Sequence, residues 1–391
     1  MFDYLFSLDP GILSYLVFLI TSVAIYAIFT LGLNLQWGFT GLINFGHVAF
    51  MTVGAYTTTL LSSAGTPLWI AVPAGAVLAS VLALLMGFST LRLREDYLAI
   101  VTIGVSELVR LVALNEGWLT KGAFGVQNYP LPLAEFRPTI PTRIGVVAIA
   151  SVIFGLALWK LVKRLMAQMK DRKQVWGAVA TGVLILLLIR LYLVAAIFLY
   201  CSWINVGTVT ILGSLRVDFP GDGSRSGLLL IALLILGIVY VALNRLVASP
   251  WGRVLKAIRE DEQVAKALGK NVFSYKLQSL MLGGFIGGTA GSLFAWQLNT
   301  VYPTNFEPLL TFNAWIIMIL GGAGNNAGTL LGAGIFWAYM ALTRFLEQVP
   351  WLAADRVGAL RFMLIGVILM VLMVWRPQGI MGNKDELTLG K

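Results

Sequence analysis

The sequence is short of charge: Asp, Glu, Lys and Arg make up 12% of its 391 residues, against about 25% in a soluble domain. So few charges cannot dress the surface of a water-soluble protein of this length, which leaves a polytopic membrane protein. Cysteine occurs once, at Cys201, excluding an internal disulfide framework and a cysteine-rich metal site. Histidine also occurs once, at His47, so a multi-histidine metal site and a Ser-His-Asp triad elsewhere are excluded. No G-x-x-x-x-G-K-[ST] motif is present, and Gly321-Gly322-Ala323-Gly324 lacks the Lys-Ser/Thr that would make it one. No pair of carboxylates shares an apolar run, as an ion-driven carrier often requires. Met1 to Pro10 holds Asp3 and Asp9 and no basic residue, so a signal-peptide n-region is missing and the first span is expected to stay uncleaved. These absences predict a chain that is not an enzyme and binds no cofactor itself. Uphill transport by such a chain would draw its energy from another subunit.

What is present is apolar: 58% of residues are hydrophobic, in runs of about the 20 residues needed to cross a bilayer. The runs predict spans near 12–33, 41–62, 67–91, 97–116, 142–161, 175–199, 226–247, 277–298, 309–322, 327–345 and 360–376. The fold class predicted is an all-α polytopic membrane protein of 10–11 helices in one membrane domain covering 1–391. The 309–322 run is short, and reads either as a tilted span or as half of a re-entrant hairpin turning at 321–326. The 41 glycines suit close helix–helix packing in lipid. The net charge of +10 does not imply nucleic acid, because Lys and Arg gathered in cytoplasmic loops produce the same sum. Basic clusters fall at 92–94, at 160–173, from Arg245 to Lys276 and at Arg376, all on one side of the span list. That side is assigned to the cytoplasm, with the N-terminus outside and the C-terminus inside.

Three polar stretches interrupt the apolar pattern. Leu33 to His47 mixes Asn34, Gln36, Thr40, Asn44 and His47 with Gly38, Gly41 and Gly46. It reads either as a broken helix lining a polar path or as tight helix packing. Glu107 and Arg110, three residues apart, share one helix face and neutralise each other, as a buried structural pair or as part of a pathway. Gly252 to Gly269 carries Arg253, Lys256, Arg259, Glu260, Asp261, Glu262 and Lys266, and cannot enter lipid. Val254, Leu255, Ile258, Val264, Ala265 and Leu268 give it a discontinuous apolar stripe, and Gly269 closes it as a left-handed cap. This amphipathic helix either rests on the membrane interface or docks a soluble partner.

Ser249-Pro250-Trp251-Gly252-Arg253 through Ile258-Arg259-Glu260-Asp261-Glu262 to Ala267-Leu268-Gly269 resembles the cytoplasmic loop of LivM-type permeases of branched-chain and neutral amino acid ABC importers, to which Nat-type neutral amino acid permeases are similar. The resemblance extends to Leu91-Arg92-Leu93-Arg94-Glu95-Asp96-Tyr97, Glu107-Leu108-Val109-Arg110, Gly38 to Phe50, and Gly321 to Gly324. It covers most of 21–126 and 226–377. It implies an ABC importer permease fold whose coupling loop, 249–276, seats on an ATPase through Arg253, Lys256, Arg259, Glu260, Asp261, Glu262, Ala265 and Gly269. The implied partners are a homologous second permease, two cytoplasmic ATPases that hold ATP and Mg, and a periplasmic substrate-binding protein, in the inner membrane. Thr40, Asn44, His47, Glu107 and Arg110 are the candidate pathway residues. Only Ala265 and Gly269 align with the general Glu-Ala-Ala, three residues, Gly pattern of such loops. The helical pair at 142–200 has no counterpart in shorter members. Urea-transporting relatives share the architecture, but their early motif has Ser and Gly where this chain has Asn44 and Val48. A stand-alone channel or ion-driven carrier using Glu107 and Arg110 is the reading of a different class.

Overall fold

The computed structural model describes residues 10–92, 95–132, 155, 209–211, 215–217, 223–344, 354–376 and 378–382. The chain divides into two compact units, Met1–Val17 with Leu133–Gly227, and Phe18–Pro132 with Leu228–Lys391. The helical pair expected at 142–200 and the basic loop 160–173 lie outside the described residues.

In chain order the helices are α1 (Pro10–Gln36), α2 (Val48–Ser63), α3 (Leu68–Thr90), α4 (Glu95–Asn115) and the short α5 (Gly117–Thr120). Strand β1 (Val126–Gln127) follows, then β2 (Val209–Ile211) and β3 (Leu215–Val217), which pair antiparallel. After them come α6 (Gly223–Ala248), α7 (Pro250–Glu260), α8 (Glu262–Ala267), α9 (Val272–Leu298), β4 (Thr300–Val301), α10 (Leu309–Gly321), α11 (Asn326–Arg344) and α12 (Ala354–Trp375).

Among the described residues five helices are long and apolar enough to cross a membrane: Tyr15–Gln36, Leu68–Thr90, Tyr97–Asn115, Gly227–Ala248 and Val272–Leu298. At 1.5 Å per residue each reaches about the 30 Å of a hydrocarbon core. α1 and α9 are enclosed by protein along most of their length, whereas α3, α4 and α6 leave much of theirs exposed. The exposed side chains are those lipid tolerates, such as Val77, Leu85, Ile100, Leu108, Leu234 and Ile238. The 41–62 expectation is shortened: its helix starts only at Val48, because the preceding eleven residues leave the helical path. The short 309–322 run is one arm of a bent pair rather than a straight tilted span: Pro303–Gly321 and Asn326–Arg344 meet at a bend of 116°.

The packing centre is α9, which lies against α2 and α3 while those two pack on each other. In lipid no hydrophobic gain draws helices together, so contact must come from close backbone approach. The run Gly283-Gly284-Phe285-Ile286-Gly287-Gly288-Thr289-Ala290-Gly291 supplies it. A side chain on Gly291 would strike the Met51 carbonyl, and one on Gly288 would meet Ala79 and Ala76 at 2.6 and 3.1 Å. Thr58 and Ser292 join their hydroxyls across α2 and α9 at 2.7 Å. At the other end from the interrupted segments, β1 pairs with β4 and the Tyr129 hydroxyl donates to the Ala295 carbonyl.

Gly291→Leu is expected to destabilise the bundle by about 3 kcal/mol or more, as overpacking against rigid backbone does. Thermal unfolding in detergent checks it, and an unchanged midpoint would contradict the close α2–α9 approach.

Candidate functional site: two helix interruptions above a charged loop

The end of α1 is where the sequence stops being helical. Gly38, Gly41 and Gly46 fall within nine residues, and Gly41 adopts φ +79°. The chain turns at Trp37–Thr40 and runs back along α1. His47 Nε2 meets the Phe29 carbonyl at 3.2 Å, two turns or about 10 Å before the helix end. Non-helical backbone at that depth survives only if its polar groups find partners in protein or water. Here they do. The Phe45 amide donates to the Thr102 hydroxyl at 3.1 Å, Gly46 to Asn44 Oδ1 at 2.9 Å, and Val48, at the open end of α2, to the Thr311 hydroxyl at 2.9 Å. Trp315 Nε1 donates to the Asn44 carbonyl at 3.1 Å.

The buried polar side chains form one network with α9. Asn44 donates to Gln36 Oε1 at 2.9 Å, and Gln36 donates to the Leu280 carbonyl at 3.2 Å across Gly283. The Thr40 and Ser279 hydroxyls hydrogen-bond at 2.7 Å, and the Thr40 hydroxyl reaches the Leu35 carbonyl at 2.9 Å. The His47 ring lies between Phe29 and Phe50, centroids at 4.7 and 5.4 Å. Thr40, Asn44 and His47 are thus brought together, fully buried, on the inner side of α1.

A second interruption meets the first. The turn between α10 and α11 places Gly322 and Gly324 at positive φ. The Gly324 amide donates to Asn34 Oδ1 at 2.9 Å, and Asn34 donates in turn to Asn326 Oδ1 at 3.1 Å. Asn326 continues to Asn244 of α6 at 2.8 Å, so one chain of amides joins α6, α11 and α1. A side chain at Gly38 would collide with Asn34 and the Gly324 amide. Beneath the turn, the Ile380 and Met381 amides donate to the Leu320 and Gly321 carbonyls, at 3.1 and 3.0 Å.

The charged stretch is two helices rather than one. Asp261 is extended (φ −154°, ψ 108°), and its carboxylate caps the new helix by accepting from the Gln263 and Val264 amides at 2.8 and 3.0 Å. An acidic side chain that satisfies two open amide donors makes restarting a helix as favourable as continuing it. Gly269 ends α8 with φ +74°. Leu255 and Ile258 bury the inner face of α7, and Ala265 packs with Ile258 and Val272. Arg253 and Glu260 are exposed on the outer face, together with Val264 and Leu268 of α8. Lys256 lies over the Phe39 ring at 5.8 Å, and Arg259 points inward to the Gly38 carbonyl at 2.5 Å. Glu262 bridges Lys266 at 2.8 Å and Lys276 at 2.6 Å, tying α8 to the start of α9.

Glu107 and Arg110 stand apart from this cluster. They pair with each other at 2.9 and 2.5 Å on a half-exposed face of α4. Reading the sequence missed Asn34 as a hub, and missed Asn244, Asn326, Thr102, Thr311 and Trp315. Thr102, Thr311 and Asn244 are polar residues in mostly apolar runs, and Asn34 and Asn326 sit in stretches where Gly and Asn suit packing as well as pairing.

Fold and site define a class: a multi-pass α-helical membrane protein, with a charged amphipathic loop seated on two buried helix interruptions. The family described as "Branched-chain amino acid transport system / permease component" matches residues 15–373, and the chain belongs to it. It is 30% identical to the high-affinity branched-chain amino acid transport system permease protein LivM of Escherichia coli, over 92% of this chain and 68% of that one. The same protein of Salmonella typhimurium is 29% identical over the same shares. A probable branched-chain amino acid transport permease protein LivM of Methanocaldococcus jannaschii is 24% identical over 93% of this chain and 92% of its own. No solved structure matches. The chain is therefore a permease component, one subunit of a larger transport system.

Two expectations follow from the geometry. Asn34→Leu strands the Gly324 amide and Asn326 Oδ1, at about 1–3 kcal/mol for each group left unpaired. Thermal unfolding in detergent reads that loss, and a midpoint within error of wild type would refute the hub. For Glu262, burial pushes the carboxyl up, but hydrogen bonds and charge from Lys266 and Lys276 outweigh it and hold it below the ordinary value of 4.5. A depressed folded-state pKa means the stabilisation is complete at neutral pH and lost as pH falls through that value. Protection of the α8 amides, taken relative to intrinsic exchange at the same pH, should fall below pH 4.5, and Glu262→Gln should show the lower protection already at neutral pH.

Proposed function

We propose that this chain is the membrane-spanning permease of an ATP-binding-cassette importer for branched-chain or other neutral amino acids. The reading rests most on one observation: a solvent-facing amphipathic loop, α7–α8, packed directly under two non-helical turns of the transmembrane bundle. Family membership and the printed names of the relatives support the substrate class. In this reading two cytoplasmic ATPases hold ATP and Mg and dock on the outward side of α7–α8, through Arg253, Glu260, Val264 and Leu268. A homologous second permease completes the pathway, and a periplasmic binding protein delivers and selects the solute. In this reading the C-terminus is cytoplasmic and the N-terminus lies outside.

The geometry suggests how force would travel. α7 follows α6 with only Ser249 between them, and α8 leads through 268–271 into α9. A push on the loop therefore acts on both spans at once, and α9 carries the Ser279, Leu280 and Gly283 contacts of the buried network. Thr40, Asn44 and His47 sit where such a shift would open polar groups to a passing zwitterion. Glu107 and Arg110, on the exposed face of α4, would face the second permease or lipid.

Expression with the ATPases and binding protein, reconstitution in proteoliposomes and competition among leucine, alanine, proline and urea test the reading. ATP-dependent leucine or alanine uptake is expected, with Gly269→Pro reducing uptake more than ATP hydrolysis. Transport by the purified chain alone without ATP, or preference for urea, would overturn it.

A further inference from the structure

We propose that Arg259 is an internal transmission residue, which ties the cytoplasmic helix α7 to both buried helix interruptions rather than gripping a partner. Its position on the charged stretch suggests a docking residue, but its geometry points the other way. The guanidinium Nη1 donates to the Gly38 carbonyl at 2.5 Å. The same nitrogen would lie 2.9 Å from a side-chain carbon at Gly324, so the group is wedged between the two turns where they touch. The stem of Arg259 passes over Gly41, where a side-chain carbon would meet its Cγ at 3.4 Å and its Cα at 3.5 Å. Three glycines from two separate interruptions thus converge on one side chain of α7.

The chemistry suits transmission. A guanidinium is planar, permanently charged and rigid at its head, and its hydrogen bond to a carbonyl is stronger than a neutral one. Gly38 and Gly324 touch each other and share Asn34, which continues through Asn326 to Asn244. A displacement of α7 that kept the Arg259 bond would carry the Gly38 turn and load the amide chain across α1, α11 and α6. Lys256, one turn earlier on α7, lies over Phe39 of the same segment and adds a second, weaker attachment. Of the other contacts of α7, Leu255 and Ile258 are apolar and have no directional hold, while Trp251 Nε1 donates to Gln278 Oε1 at 2.8 Å and ties α7 to α9 rather than to the turns.

This inference rests on the reading of α7–α8 as the ATPase-docking loop, and the experiment separates the two. The complete transporter is purified and reconstituted with wild type, Arg259→Ala, Arg259→Lys and Glu260→Ala chains. Co-purification of the ATPase subunits, ATP hydrolysis and uptake per ATP are then measured. With Arg259→Ala the ATPases should still co-purify and hydrolyse ATP, while uptake per ATP falls about tenfold, the equilibrium effect of one charge-assisted hydrogen bond. Arg259→Lys, which keeps a charged donor but not the fork, should recover part of the ratio. Glu260→Ala, on the outward face, should weaken co-purification instead. If Arg259→Ala loses the ATPases, the residue grips the partner and the inference falls while the importer reading stands. Unchanged uptake per ATP in Arg259→Ala also overturns it. If Arg259→Ala does not fold, the uptake ratio of Arg259→Lys decides. If the ATPases fail to co-purify with the wild-type chain, the importer reading and this inference fall together.

Discussion

A backbone amide or carbonyl at membrane depth must be paired, and this bundle is organised around two places where the helix cannot do the pairing. Within a helix the accounting closes by itself. At 37–47 and 322–325 it does not, and side chains from four helices make up the deficit. Asn34 from α1, Thr102 from α4, Arg259 from α7, and Thr311 and Trp315 from α10 each satisfy a backbone group that the interruptions leave open. Stability and a capacity for movement therefore sit in the same residues. An interruption held by side-chain hydrogen bonds has alternatives within reach, which a continuous helix lacks.

The glycines divide into two physical roles. Those of α9 serve contact, bringing backbones to distances that no side chain would allow. Those of the turns serve conformation and access: Gly41 and Gly324 adopt positive φ, and with Gly38 they leave a channel just wide enough for an arginine. The charged loop is likewise divided. Asp261 and Glu262 are used within the chain, as a helix cap and as an anchor to Lys276. Arg253 and Glu260 stay exposed, flanked by exposed Val264 and Leu268.

The sequence by itself determined the class, because apolar length is a local property and charge in lipid is costly wherever it occurs. The helices at 10–36, 68–90, 95–115, 223–248 and 272–298 were legible for that reason, as was the solvent exposure of the 252–269 stretch. The left-handed close at Gly269 was legible too, since only a few residues take that conformation cheaply. The choice between a broken helix and simple packing at Leu33–His47 was not, since Gly and Asn suit both. Only the tertiary structure decided that the helix breaks there, by supplying Thr102 and Thr311 from far along the chain as partners for open amides. The split at Asp261 and the inward aim of Arg259 were decided the same way. A charged side chain on an amphipathic helix reads as solvent-facing until a bare glycine surface, built from two distant segments, offers it a carbonyl.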